Sequence, residues 1–420
     1  MRNLNIGGVT ALLLASTLSV RADVAALDAI QQAVSGLYSA VSSYGIAVDA
    51  DAAKRVALDS VLKSIDAKGR LLSADEWKHI EEERRGLDYT PGFQLNISNG
   101  LPYIIHVMPE SPAAAAGIRT NDVIIDVAGT SVSPAPLVHM LKSLRSHTND
   151  SVRLVLQRTP ATTNAVTVQR DLLQLPALEV AEIMPAKIGY ALVNGLFEGS
   201  GALIEAQIEG ASKAGCYGMV IDLRGANGNS VTDAARVAGL FADSEATLCT
   251  FRDLNGAEKR VERNGKRNPV AMPVMILIDH DTSGAAEVLA AMMAGSVRGA
   301  MLIGQTTEGD PMIREAVALP GGELAYLTVQ KLVTADGQVF DGKTGVHPDV
   351  IVKTSNVVEQ EFEPDMTSDR REALEQEIID KGMRERMRGD AVLRRAVDIL
   401  LGLKALNIRG FSAATPDSAD

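Results

Sequence analysis

Residues 280–287, H-D-T-S-G-A-A-E, hold the side chains best suited to chemistry, and they directly follow the apolar run V-M-I-L-I. The apolar run is typical of a buried strand, and the alanine-rich residues after 284 favour a helix. A serine on such a strand-to-helix turn is where a hydrolase would hold its nucleophile, so Ser283 is a candidate. Serine also caps helices at this position, and both interpretations stay open.

A serine hydroxyl is a weak nucleophile until a base removes its proton, and the bases near Ser283 are poor candidates. His280 is close in sequence, but we expect it to leave the strand toward a different side. Glu308 and Asp310 suggest an acid pair or a cation site, whereas solvated loop charges are the simpler interpretation. Asp222 and Arg224, after another apolar run, are interpreted as a structural pair.

Composition limits the function further. The 420 residues are 46% hydrophobic and carry a formal net charge of −12, which argues against nucleic acid or anionic lipid as a partner. Cys216 and Cys249 form neither a disulfide framework nor a metal cluster; two buried thiols are expected, with one bridge as the alternative. The histidines lack HExxH-like spacing, and no metal or cofactor is predicted.

The first residues have the pattern of a secretory signal peptide. Arg2 precedes an apolar stretch from Ile6 to Val20, and Val20-Arg21-Ala22 fits a cleavage site. A retained membrane anchor is the alternative, but the stretch is short for a membrane span. We therefore predict a signal peptide over 1–22 and an exported, soluble, periplasmic protein.

Changes in hydrophobic period divide the rest of the chain. The predicted segments are an N-terminal helical domain (23–88), a strand-rich domain (89–159), an α/β core (160–355), C-terminal helices (356–404) in which Asp390 caps the last helix, and a flexible tail (405–420). The predicted fold class is multi-domain α/β.

The segment P-E-S-P-A-A-A-A-G-I-R-T-N-D-V-I-I-D-V-A-G-T-S-V (109–132) resembles a PDZ domain almost letter for letter, with Asn121 replacing a usual glycine. PDZ domains bind extended or C-terminal peptides by adding them as a strand to a sheet edge. The resemblance implies that Gly92, Phe93, Gln94 and Leu95 form the loop whose backbone N–H groups receive the terminal carboxylate.

The other wall of this peptide groove is then the helix near 137–144, with Met140 and Leu141 as its predicted contacts. Gln94 stands where related domains have glycine, and a larger side chain narrows the approach to the loop. A PDZ fold kept only as a spacer or lid is the alternative.

The order of segments resembles the carboxyl-terminal processing peptidases, also called tail-specific proteases. The motifs that carry the resemblance are I-G-Y-A-L-V-N-G-L-F (188–197), V-I-D-L-R-G-A-N-G-N (220–229) and L-T-V-Q-K-L-V-T-A-D-G-Q-V-F-D-G-K-T-G-V-H-P-D-V (327–350). The resemblance implies a crotonase-like α/β peptidase core with an inserted PDZ domain and flanking helical segments. It also implies a serine–lysine dyad, a glutamine four residues after the lysine, and backbone N–H groups for the oxyanion.

Carried over residue by residue, the dyad is missing. With Glu287 and Gly304 as anchors, the serine position is Gly284, the lysine position is Asp310 and the glutamine position is Arg314. A carboxylate cannot replace a neutral lysine beside an anionic intermediate. The oxyanion donors that the resemblance implies are Gly228 and Ala285, with Asn229 replacing a second glycine.

Three functions stay open at this point. The chain binds extended or C-terminal tails of exported proteins without efficient cleavage, as an adaptor, a decoy or a partner of an active paralogue. Alternatively, it is a serine endopeptidase with Ser283 as a shifted nucleophile, or a structural assembly subunit. The pattern of a kept framework with changed reactive residues favours the first.

Overall fold

The computed structural model describes residues 24–44, 49–66, 68–98, 101–132, 137–146, 150–159, 162–265, 269–309, 313–320, 322–340, 344–352, 387 and 389–408. The predicted signal peptide and most of the predicted tail and C-terminal helical segment lie outside these residues.

Helices occupy both ends of the chain and alternate with strands between them. The helices are α1 (Val24–Ser43), α2 (Ala50–Ile65), α3 (Ala74–Arg84), α4 (Pro112–Ala115), α5 (Leu137–Leu144), α6 (Ser200–Lys213), α7 (Val231–Ala238), α8 (Gly284–Ser296) and α9 (Ala391–Ala405). Among the described helices, none is both long and apolar enough to cross a membrane.

The strands fall into two runs. The strands before residue 185 are β1 (Arg70–Leu72), β2 (Leu87–Thr90), β3 (Phe93–Ser98), β4 (Leu101–Val107), β5 (Val123–Val127), β6 (Thr130–Ser131), β7 (Ser151–Thr159), β8 (Thr162–Gln169), β9 (Asp171–Gln174) and β10 (Leu178–Met184). The later strands are β11 (Ile188–Val193), β12 (Gly195–Leu196), β13 (Gly218–Asp222), β14 (Asn227–Gly228), β15 (Thr247–Asp253), β16 (Glu258–Arg263), β17 (Val274–Ile278), β18 (Ala300–Gly304), β19 (Ile313–Ala318), β20 (Leu324–Thr334), β21 (Val339–Phe340) and β22 (Val350–Ile351).

The chain divides into two compact units, residues 1–61 and residues 62–420, and α2 runs across the division. In the first unit, several large apolar side chains are exposed, among them Leu37, Tyr44 and Val56. The segment 23–88, predicted as helical, also contains β1 and β2; β1 pairs with β20 and β2 pairs with β9.

The central sheet has the order β10-β11-β13-β17-β18-β22, and it is parallel except for β10 at one edge. Its middle strands are buried on both faces, as their continuous apolar sequences predict. In β17, Ile276 packs into the hydrophobic cluster that includes α6, α7 and α8, while Leu277 packs into the cluster on the opposite face. This sheet delivers the loops after β13 and β17 to one edge.

A PDZ-like sheet of order β3-β4-β5-β7-β8, with β6 on β5, precedes the central sheet. Within the PDZ-like motif, Ser111 caps α4 by accepting a hydrogen bond from the Ala114 N–H at 3.2 Å, and Gly117 follows the helix with φ +75°. Asp122 accepts hydrogen bonds from Arg119 N–H and from the Arg158 guanidinium, which closes the turn into β5.

Helix α9 covers the face of the central sheet that lies opposite α8. Asp390 caps it, as predicted, by accepting a hydrogen bond from Leu393 N–H at 3.0 Å. The same carboxylate binds the buried Arg224 guanidinium at 2.7 Å and 2.9 Å, and Asp222 binds that guanidinium from the other side. Asp222 and Arg224 are therefore structural, as the sequence predicts, and they connect the end of β13 to α9.

Candidate functional site

Ser283 lies at the N-cap position of α8, on the turn that the sequence predicts. Its N–H donates to the Ala226 carbonyl at 3.0 Å, but its side chain makes no capping hydrogen bond to the first turn of α8, all of which the structure describes. The fully buried Thr282 holds the turn instead, because its hydroxyl donates to Leu223 O at 2.9 Å and accepts from Asp279 N–H at 3.1 Å.

Gly284 begins α8 in the left-handed region, with φ +54°. A Cβ atom at this position would lie 2.5 Å from the carbonyl oxygen of Gly228, a distance that real Cβ contacts do not reach. The neighbour is backbone, so no side-chain rotation relieves the overlap. The position predicted for the nucleophile therefore has no room for a serine side chain.

Gly228 is itself tightly placed, with φ +124° and with a Cβ position only 2.3 Å from Leu196 O. The next two N–H groups of the chain, from Asn229 and Ser230, both donate to that same Leu196 oxygen at 3.0 and 2.9 Å. The Gly228 atom nearest to the position that a Cβ of residue 284 would take is the carbonyl oxygen, a hydrogen-bond acceptor. The Gly228 nitrogen lies 3.6 Å from the same position. The group of Gly228 closest to this position is therefore a carbonyl oxygen, whereas oxyanion stabilisation uses N–H donors.

Glu287, which is fully buried in α8, holds the neighbouring loop that follows β18. Its carboxylate accepts hydrogen bonds from Gly309 N–H at 2.8 Å and from the Thr307 hydroxyl. Ala285, the other predicted oxyanion donor, is buried in the first turn of the same helix. Asp310 lies outside the described residues.

Arg314, at the predicted glutamine position, is 7% exposed, and its guanidinium carbon lies 5.7 Å from the centre of the Tyr326 ring. It acts electrostatically on Asp66, which accepts a hydrogen bond from Thr328 N–H at 2.8 Å. Burial alone would raise the pKa of the Asp66 carboxyl, but the hydrogen bonds from Thr328 and Lys68 and the charge of Arg314 hold that pKa below its ordinary value. Arg314 is thus part of a packed ionic cluster.

Lys68 is the amine that sequence reasoning missed. Its Nζ donates to the carbonyl of Glu308 at 3.0 Å, and Glu308 N–H in turn donates to Thr282 O at 3.1 Å. The two residues of the first contact are 240 positions apart, so no local sequence signal could reveal it.

Asp279, His280 and Asp281 place possible metal-ligand atoms within 4.8 Å of one another. Protein groups already engage both carboxylates: Asp279 accepts from Gly225 N–H at 3.0 Å, and Asp281 pairs with Lys142 of α5. The Asp281–Lys142 pair connects this acidic turn of the α/β core to the PDZ-like domain.

The predicted peptide groove lies between β3 and α5. Gly92 has φ +89°, and a Cβ there would lie 2.4 Å from the Ser111 Cβ, so the loop requires glycine. Phe93, Leu95 and Leu141 line the groove, together with Leu144. Met140 is buried but does not belong to the described groove lining, and Gln94 is half-buried within β3.

Sequence reasoning did not select Glu179, whose carboxylate accepts a hydrogen bond from Leu95 N–H at 3.2 Å. This residue belongs to β10 of the central sheet, and only 8% of it is exposed. The predicted carboxylate loop therefore already holds a carboxylate from the same chain.

Residues 187–352 match the family model of peptidase family S41, and residues 103–158 match that of the PDZ domain. Residues 187–352 therefore form a peptidase family S41 domain, and a PDZ domain precedes it. The predicted α/β peptidase fold with a PDZ domain is confirmed.

The carboxy-terminal processing protease CtpA of Bacillus subtilis (strain 168) is 27% identical over 310 residues, which cover 74% of this chain and 66% of the relative. A probable CtpA-like serine protease of Staphylococcus aureus (strain COL) is 25% identical over 315 residues, covering 74% of this chain and 62% of the relative. The chain thus spans about two thirds of the length of these relatives. The solved structure of a photosystem II D1 C-terminal processing protease aligns with TM-score 0.46 and 23% identity, covering 73% of this chain and 83% of that chain.

The structure brings Gly228, Ser283, Gly284 and Ala285 together at one edge of the central sheet. It places Arg314 in the neighbouring ionic cluster of Asp66 and Tyr326. Thr282 and Lys68 are the residues there that sequence reasoning did not select. A chemical role for Ser283, and the loss of the dyad, stay predictions.

Proposed function

We propose that this protein binds extended or C-terminal peptide tails through its PDZ groove and does not cut them efficiently. Its partners are unfolded or C-terminal segments of exported proteins, with an active paralogue as a further candidate partner. The N-terminal leader pattern supports export to the periplasm as part of the same proposal.

The observation that carries this proposal is the contact between Gly284 and Gly228. A serine at 284 would place its Cβ 2.5 Å from the backbone carbonyl oxygen of Gly228, so a serine would fit only if the backbone shifted. Serine peptidases lose about 10⁶-fold in turnover when the nucleophile is absent. The preserved Gly92 turn and apolar groove support the binding half of the proposal.

An active serine endopeptidase with Ser283 as nucleophile is the second candidate. Two observations favour it. The Ser283 hydroxyl makes no capping hydrogen bond to the described first turn of α8. Lys68 donates to the carbonyl of Glu308, whose N–H donates to the Thr282 carbonyl. A lysine acts as a base only when it is neutral, and the Nζ of Lys68 already donates a hydrogen bond to the Glu308 carbonyl.

The test uses the purified chain without residues 1–22 and a disordered reporter protein with an apolar C-terminal tail. Mass spectrometry measures cleavage over a day, with the B. subtilis relative as a positive control for the reporter. Fluorescence anisotropy of a labelled tail peptide measures binding up to millimolar protein. We expect binding without cleavage.

Two variants distinguish the candidates. Any cleavage that disappears in both Ser283→Ala and Lys68→Met, together with fluorophosphonate labelling of Ser283, would overturn the proposal in favour of the active enzyme. Absence of both cleavage and binding, with a defined oligomer in solution, would favour a structural assembly subunit instead. Cleavage that survives Ser283→Ala would point to a contaminating protease.

A further inference from the structure

The groove of the PDZ domain is filled by the chain that follows the domain. Its lining comes from β3 and α5, between which the groove lies, and from the connection between β9 and β10. Most of the lining is apolar: Phe93, Leu95, Met108, Leu141, Leu144, Leu175 and Pro176. The cavity left between them is about 20 Å³, which holds little more than one water molecule and no apolar side chain.

Glu179 occupies the end of this groove where a ligand's carboxylate belongs. Its Oε1 accepts from the N–H of Leu95, the fourth residue of the loop that begins at Gly92. The register of β3 against β4 shifts between Gln94 and Leu95, and a bulge in β10 falls at Glu179. Bulges redirect side chains, so these two strand irregularities bring the donor and the carboxylate together.

Two further groups hold the Glu179 carboxylate from the side of the core. Asn194 Nδ2 donates to its Oε2 at 2.8 Å and to the Pro176 carbonyl at 2.9 Å. Arg145, directly after α5, donates to the side-chain Oδ1 of Asn194 and attracts Glu179 electrostatically. The connection itself is fixed at each end, because Leu175 N–H donates to Gly86 O at 2.7 Å and Asn194 N–H donates to Ala177 O at 2.9 Å.

We propose that Glu179 is an internal competitor for the PDZ groove, and that a peptide with a free C-terminal carboxylate binds only after Glu179 leaves Leu95. The side-chain carboxylate and a peptide's terminal carboxylate are the same chemical group and take the same N–H donor. This inference rests on the proposed function. The partner it implies is a tail whose last residue is small or apolar, because the groove walls are apolar.

The net contribution of the hydrogen bond between Glu179 and Leu95 is reduced by the cost of burying the carboxylate. Burial raises the pKa of the Glu179 carboxyl above its ordinary value, in spite of the opposing effects of Arg145, Asn194 and Leu95. The cost of removing the ionised carboxylate from water therefore offsets part of the favourable interaction energy with its partners. A ligand carboxylate that carries an apolar last residue adds contacts in the groove that Glu179 lacks.

The test is fluorescence anisotropy with a labelled disordered decapeptide ending in Ala-Leu-Val, with a free carboxylate, and with its carboxamide twin. Because Glu179 occupies the groove in part of the molecules, the apparent Kd equals the intrinsic Kd divided by the fraction of molecules with a free groove. We expect Glu179→Ala to bind the free carboxylate at least about tenfold more tightly than the natural chain, with little gain for the carboxamide. Glu179→Gln, which keeps the size but loses the charge, should gain less.

Glu209→Ala is the matched control, since it removes the same charge from an exposed position on α6. Hydrogen exchange of the Leu95 amide gives a readout without ligand, and it should speed up in Glu179→Ala. Equal affinity of the natural chain and Glu179→Ala, or an equal gain for the carboxamide, would overturn this inference and leave the proposed function standing. Failure of both proteins to bind either peptide would overturn both proposals.

Discussion

The edge of the central sheet and the PDZ groove are two closed sites, and they are closed in different ways. At the sheet edge, a backbone carbonyl occupies the space beside Gly284, and backbone atoms of Leu196 lie against Gly228. In the groove, a side chain and a short connection occupy the space, and the Glu179 side chain must move before the Leu95 N–H is released. Backbone closure is a property of the fold, whereas side-chain closure is an equilibrium that a ligand can shift.

The largest expected effect tests the backbone closure. Gly284→Ser should destabilise the chain by about 3 kcal/mol, because it adds left-handed strain to an overlap with the Gly228 oxygen. Urea unfolding measures the loss, and fluorophosphonate labelling should not reach the new serine. Gly215→Ala, with φ +73° and open space around it, isolates the backbone strain and should lose only about 1 kcal/mol. A Gly284→Ser variant as stable as the natural chain would mean that the pocket is open.

The corresponding change in the groove is Gly92→Ala. Its Cβ would overlap the Ser111 Cβ at 2.4 Å and Leu173 Cδ1 at 2.8 Å, and φ is +89°. We expect a loss of about 2 kcal/mol from the left-handed strain and from the overlap with the Ser111 Cβ, which moves only with its backbone, together with weaker peptide binding. Thermal unfolding and anisotropy measure both. Gly129→Ala, with φ +84° and no atom within 4 Å, is the control and should leave binding unchanged.

Acid should weaken the PDZ domain through Asp122. Burial alone would raise the pKa of this carboxyl, but hydrogen bonds from Arg158 and Arg119 and their charges hold that pKa below its ordinary value. A lowered folded pKa gives stability that is present above the unfolded pKa, near 4, and is lost as pH falls through the folded pKa. Urea midpoints between about pH 5 and pH 2 measure the slope, which Asp122→Asn should reduce. An unchanged slope in Asp122→Asn would contradict this assignment.

The smallest expected effect is that of Ser283→Ala. Because the Ser283 side chain makes no capping bond to the described turn of α8, its loss should change stability by less than about 0.5 kcal/mol. Ser73→Ala is the comparison, since Ser73 and Glu76 form a complete capping box on α3, and removing it should lose about 1 kcal/mol. Equal losses at the two serines would show that Ser283 caps its helix after all.

The sequence predicted the central elements well because their patterns are local. The apolar runs at β13, β17 and β18 appear as buried strands, and α5 falls on the predicted 137–144. The turn chemistry of Ser111 and the cap at Asp390 were likewise evident from neighbouring residues.

The site was less predictable because its decisive contacts are distant in sequence. Glu179 meets Leu95 across 84 positions, and Lys68 meets Glu308 across 240. The overlap at Gly284 depends on which way the Gly228 carbonyl points, and no residue type encodes that direction. The expectation that Ser283 caps α8 chose the right position, but the structure assigns the side-chain hydrogen bonds of the turn to Thr282.

The double role of Asp390 has a practical consequence for dissecting the molecule. The S41 match ends at residue 352, yet Asp390 both caps α9 and neutralises Arg224 at the end of β13. A shortened polypeptide that stops at 352 would leave that guanidinium half-neutralised and would uncover the apolar face that Leu393 and Leu400 shield. The smallest autonomous version of the peptidase-like half must therefore keep its distant final helix.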